Sequence, residues 1–124
     1  MLLLRSTLFL LCFAVLPGNA QTPSIKLLIQ SSPLAGFRYS EATEVWPEMR
    51  VGDALELVRE AGNPHDPSAV RVEWRGRKLG YVPRRENAAL AWGLDRGTLL
   101  RARVSRLAEH PNPARRIEFE VYIE

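Results

Sequence analysis

The chain has 124 residues, one cysteine and a formal net charge of +3, with arginine supplying all basic residues except Lys26 and Lys78. That length suits one small domain, and a lone cysteine excludes an intramolecular disulfide or a cluster of thiolate metal ligands. So small a positive charge permits anionic partners without singling one out.

Residues 1–20 read as an export signal. Arg5 precedes the apolar run from Leu8 to Leu16, and Gly18 and Ala20 supply small residues before a cut at Gln21. The run is shorter than the ~20 apolar residues a spanning helix needs. Leu11, before Cys12, is too large for a lipid-attachment site. An uncleaved anchor or a buried N-terminal strand is the blander alternative. Cleavage would remove Cys12 and Arg5 and leave no stable membrane anchor. The mature chain, residues 21–124, is then a single exported domain, periplasmic or secreted.

Residues 24–30 predict a first strand, with Ile25, Leu27 and Ile29 on one face. The run Ala35-Gly36-Phe37-Arg38-Tyr39 predicts a short extended segment in which glycine permits close backbone approach. Residues 40–50 are polar around Trp46-Pro47 and read as a loop, followed by a turn at Val51-Gly52-Asp53. Residues 54–59 predict a strand with Leu55 and Leu57 inward.

Then comes a long connection, Gly62-Asn63-Pro64-His65-Asp66-Pro67, well beyond the about two to five residues of an ordinary hairpin loop. It is either a built structural loop or a site. Beyond it, Val70, Val72 and Trp74 alternate with Arg71 and Glu73. Arg75-Gly76-Arg77 turns this strand into a partner over residues 78–82, a hairpin. Pro83 opens a helix over residues 84–94, with Trp92 packing it on the sheet and Gly97 stopping it. Residues 99–107 predict a strand with Arg101 and Arg103 outward, and residues 109–114 a proline-rich loop. Ile117, Phe119, Val121 and Ile123 alternate with Glu118, Glu120 and Tyr122. Arginine and glutamate faces on adjacent strands predict cross-strand ion pairs, a reading preferred here to a nucleic-acid stripe. The sum is a mainly β fold: a small closed or partly open OB/SH3-like barrel of five to six strands, with one helix between late strands.

Catalytic chemistry is poorly served. His65, Asp66 and His110 are the only residues that might share a metal, and no two histidines have ligand spacing. Ser68, His65 and Asp66 are neighbours, but neighbours in an extended chain point apart, and no nucleophile turn or glycine-rich phosphate loop is present. A hydrolase built on His65 and Asp66 is the weakest reading. A binding module without cofactor or metal is the strongest. Arg38, Tyr39 and Tyr81, with Arg84 and Arg85 at a helix start, offer guanidinium groups beside aromatic rings, the combination that holds phosphates and bases of single strands. Taken singly, the tyrosines read as barrel-edge aromatics and the arginines as solvated charges.

The run E-x-x-N-P-x-D-x-x-A-V from Glu60 to Val70, with Gly36-Phe37-Arg38-Tyr39 before it and Gly80-Tyr81-Val82-Pro83 after it, resembles a HIRAN domain over about residues 25–107. The resemblance implies a barrel related to OB folds. It also implies the function of relatives fused to Snf-type DNA translocases, capture of a free 3′ end of single-stranded DNA. Carried onto matching positions, it implicates Arg38, Tyr39, Asn63, Asp66, Tyr81 and Arg84, with His65 where such relatives often have tyrosine. Asp66 would accept a hydrogen bond from a terminal hydroxyl, Arg38 and Arg84 would hold phosphates, and Tyr39 would stack a base. Gly62 and Ser40 stand where a polar residue and a second aromatic are common, and Tyr81 where a histidine is found. No ATP-binding motif, zinc segment or hydrolase segment accompanies the run. The alternative is an exported interaction domain of the same fold, binding an envelope protein or another anionic ligand.

Overall fold

Alternating apolar residues build the frame. The computed structural model describes residues 25–124, so the expected export signal lies outside the described residues. Strands form at Leu27–Pro33 (β1), Ala54–Arg59 (β2), Val70–Trp74 (β3), Arg77–Tyr81 (β4), Arg101–Leu107 (β5) and Ile117–Ile123 (β6). Helices form at Ala42–Val45 (α1) and Ala88–Asp95 (α2). The six strands make one antiparallel sheet in the order β1-β6-β5-β2-β3-β4. The fold is mainly β and OB-like, as expected, but the sheet is not closed.

Strand β2 carries the curvature. Ala54 and Leu55 pair with β5, whereas Glu56 to Arg59 pair with β3. This wraps the sheet until its edges approach. Just past β1, Ala35 forms an isolated bridge with Tyr81 of β4, with N–H···O distances of 2.9 and 2.8 Å. Val70, Val72, Trp74, Val104, Ile117, Phe119 and Val121 face inward and are buried. At ~25 cal/mol per Å² of apolar surface removed from water, such alternation is the main stabilising term.

The hairpin of β3 and β4 turns at Arg75 and Gly76, with φ of 48° and 77°. Positive φ at both positions matches the right-handed twist of the strands. The outer faces of β5 and β6 carry the expected ion pairs, Arg103–Glu120 at 3.0 Å and Arg106–Glu118 at 3.8 Å. Helix α2 ends as expected at Gly97, φ 80°. There the Thr98 N–H donates to the Gly93 carbonyl and the Gly97 N–H to that of Leu94, which satisfies the last turn.

Several local expectations need correction. The first strand begins at Leu27, and Ile25, Leu27 and Ile29 are exposed rather than inward. This part of β1 pairs with β6, but among the described residues the open sheet sets no second layer against it. Phe37–Tyr39 is a 3-10 turn, not an extended segment, entered through Gly36 at φ 76°. Residues 40–50 are not a loop. They coil into α1 and a 3-10 turn at Trp46–Glu48, burying Ala42, Val45 and Met49. Their alternation is too short to show in sequence. Pro83 opens only a 3-10 turn, Arg84–Glu86, and α2 starts at Ala88. Trp92 is 63% exposed and does not pack the helix on the sheet, because Leu90 and Ala91 take that role.

Candidate nucleic-acid interface

The connection between β2 and β3 is a built loop. Its base closes with the Glu60 N–H on the Ala69 carbonyl, 3.0 Å. Inside it, the Asn63 side-chain oxygen accepts the N–H groups of His65 and Asp66 at 2.8 and 3.2 Å. Asp66 Oδ1 accepts the Ser68 N–H at 2.9 Å. These are Asx turns, in which short polar side chains replace a backbone ladder. Outside it, Arg59 donates to the carbonyls of Pro67 (2.7 Å) and Ala69 (3.1 Å) and pairs with Asp95 of α2 at 3.0 Å.

The segment after β4 bolts the loop from the other side. Asn87, 2% exposed, donates its amide to Asp66 Oδ2 at 2.7 Å. Arg84 donates to the His65 carbonyl, and its Nε lies 3.7 Å from Asp66 Oδ2. Glu86 accepts from Ser32 at 2.6 Å, which ties the same turn to β1. Between loop and segment lies a cleft of about 300 Å³, lined by Asn63, His65, Asp66, Tyr81 and Arg84, with Ala35, Ala69 and Val82 as its apolar surface. Arg38 and Tyr39 do not reach it. They line a neighbouring hollow with Gly36 and residues 112–114. The consecutive residues Ala35 and Gly36 contribute one to each depression. Arg38 is exposed and unpaired among the described residues, and Tyr39 is 83% exposed.

Tyr81 is held rather than free. Its hydroxyl donates to Glu60 at 3.0 Å, and the Lys78 ammonium lies 4.6 Å from its ring centre. Glu60 also accepts from Arg71 at 2.6 Å and from Asn63 at 3.1 Å. Burial pushes the Glu60 carboxyl up, but the hydrogen bonds from Asn63, Arg71 and Tyr81 outweigh it and hold the pKa below the ordinary value. The Ser68 N–H acts most strongly on Asp66 and lowers its pKa. Burial opposes this, while Asn87 and Arg84 add to the lowering.

A carboxylate depressed in the folded state stabilises the fold above its unfolded pKa and loses that contribution as pH falls through the folded one. The ordinary values are 4.5 for Glu60 and 3.8 for Asp66. The melting temperature is therefore expected to be level above about pH 5 and to fall below about pH 4. Glu60→Gln should melt lower at neutral pH yet show a shallower acid slope. An unchanged slope in that variant would remove Glu60 from the account.

The helix-start role expected for Arg84 and Arg85 is corrected. Both belong to the 3-10 turn, and the cleft takes Arg84 through its bonds to the loop. His65 contributes its N–H and carbonyl to the loop, while Asp66 is occupied by Ser68 and Asn87. No serine hydroxyl is bonded to His65 among the described residues. Two contributors escaped the sequence reading. Glu60 stood in the motif without an assigned partner. Asn87 fell inside the helix expected over residues 84–94, whereas it immediately precedes α2, where its amide reaches Asp66 and caps nothing.

Residues 28–124 match the sequence profile of the HIRAN domain. A protein from Lactobacillus plantarum is similar in structure, with 28% identity and a TM-score of 0.69, covering 79% of this chain and 94% of that one. The HIRAN domain of human HLTF is similar in fold, with 19% identity and a TM-score of 0.57, covering 78% of this chain and 75% of that one. The curated proteins searched contain no match.

Proposed function

The chain belongs to the HIRAN domain family, and from that premise we propose that it is a nucleic-acid-binding module that takes the 3′ end of a single strand. One observation carries the reading. Asn63, His65, Asp66, Tyr81 and Arg84 converge on one cleft, and the exposed Arg38 and Tyr39 stand beside it. An ionised carboxylate has about four acceptor positions. Ser68, Asn87 and Arg84 engage Asp66 from three sides, so capacity remains for one terminal hydroxyl. A terminal phosphate would meet the Asp66 charge instead. Arg84 and Arg38 hold the following phosphates, and Tyr39 stacks a base.

Fluorescence anisotropy with 5′-labelled single strands tests this. A strand ending in a 3′-hydroxyl should bind roughly tenfold tighter than one ending in a 3′-phosphate. Arg38→Ala should weaken binding about tenfold at unchanged melting temperature, because nothing described leans on its side chain. Equal affinity for the two ends, with Arg38→Ala indistinguishable from wild type, would sink the proposal.

A further inference from the structure

We infer that the solvent face of α2 is a second contact surface for the same single strand, with Trp92 as its stacking platform. The inference rests on the proposed function, since it names where the strand goes after leaving the cleft. A large aromatic left in water calls for explanation, and Trp92 is 63% exposed. It stands near the middle of the helix's open side. Ala88 and Ala89 before it are exposed, whereas Leu90 and Ala91 face the core. Small side chains on the approach keep the ring unobstructed. One turn further on, the Arg96 guanidinium lies 4.2 Å from the ring centre, which orients the indole and adds positive charge beside it.

The start of α2 adjoins the cleft. Asn87, whose amide holds Asp66, immediately precedes α2. Arg84 lines the cleft, and Arg85 next to it is exposed. Trp92 lies five positions beyond Asn87, roughly 7.5 Å along a helix rising 1.5 Å per residue and about 140° around it, so the strand would turn from the cleft onto the open side of α2. A strand held at its end by Asp66 and Arg84 therefore needs only a few nucleotides to pass Arg85 and reach the Trp92 ring. Arginine beside an exposed aromatic binds bases regardless of sequence, because every base has a stacking face. Arg84 and Arg85 before the ring and Arg96 over it favour a nucleic-acid strand over a protein partner, for which an uncharged apolar surround would be expected, and the one carboxylate on α2, Asp95, is already paired with Arg59 at 3.0 Å.

A length series on the full chain tests the inference. Wild type, Trp92→Ala and Trp92→Phe are titrated with a dinucleotide and an octanucleotide, both ending in a 3′-hydroxyl. In wild type the octanucleotide should bind about tenfold tighter than the dinucleotide and quench indole emission. Trp92→Ala should erase that length advantage, leave dinucleotide affinity and melting temperature unchanged, and lose the quenching. Trp92→Phe should restore most of the length advantage. Equal octanucleotide affinity in wild type and Trp92→Ala overturns this inference and leaves the cleft reading standing. Absence of binding to either length in wild type removes both. A length advantage that persists in Trp92→Ala and vanishes in Arg38→Ala would place the strand's path across the hollow instead, also overturning it.

Discussion

Replacing Gly80 with alanine should lower the melting temperature by roughly 15 °C and open the junction between β1 and β4. A Cβ built on Gly80 falls 2.1 Å from the Ala35 carbonyl oxygen and 3.2 Å from both its carbon and Leu34 Cγ. That is overlap with backbone, not with the far end of a flexible side chain. The backbone has little room to yield, because Ala35 N–H and C=O are both engaged with Tyr81. Gly80 also sits at φ 156°, a conformation that L side chains rarely adopt. Overpacking of this kind costs about 3 kcal/mol, released only by breaking the bridge. Ala35 and Tyr81 both line the cleft, so oligonucleotide binding should fall together with stability. Gly62→Ala is the control. Nothing lies within 4 Å of a Cβ there and φ is not in the left-handed region, so the melting temperature should stay level or rise slightly. Thermal denaturation of both variants decides the matter. A Gly80→Ala protein melting within two degrees or so of wild type would show that the junction does not hold the sheet edges together.

The second large effect lies at Asp66. Asp66→Ala should lower the melting temperature by roughly 5–10 °C and abolish the preference for a 3′-hydroxyl. The Ser68 N–H loses its acceptor, and the Asn87 amide, 2% exposed, is left buried without its partner. Asn87→Ala should also melt lower, yet keep part of the end preference, because the carboxylate remains in the cleft with Ser68 and Arg84. The two changes remove one shared bond, so their effects should fall short of additivity in the double variant. Full additivity would mean that the bond between loop and α2 carries no coupling. An Asp66→Ala protein that still distinguishes the two 3′ ends would take the hydroxyl-binding role away from this residue.

Much of the frame was legible because it depends on period. Val70, Val72 and Trp74, and Ile117, Phe119 and Val121, alternate in sequence and alternate in burial. The β3–β4 turn was legible because Gly76 tolerates positive φ. Residues 40–50 misread because a single helical turn shows no periodicity, and its burial of Val45 and Met49 is set by what lies opposite. Trp92 misread for a related reason. Aromatic residues are usually buried, but the phase of α2 is fixed by Leu90 and Ala91, which leaves Trp92 on the open side. The site followed the same division. Asn63 and Asp66 stood out as turn formers, and both do form turns.

The sequence by itself determined the strands, the hairpins, the stiffness of the loop around Asn63 and Asp66, and the likeness to HIRAN domains, since each rests on residues close together in the chain. Only the tertiary structure decided that the sheet stays open apart from the Ala35–Tyr81 bridge. It alone set Glu60 under Tyr81, Asn87 against Asp66, and Arg38 with Tyr39 in a hollow separate from the cleft. These contacts join residues about twenty or more positions apart. Their geometry follows from how the strands twist and pair, which no local spacing encodes.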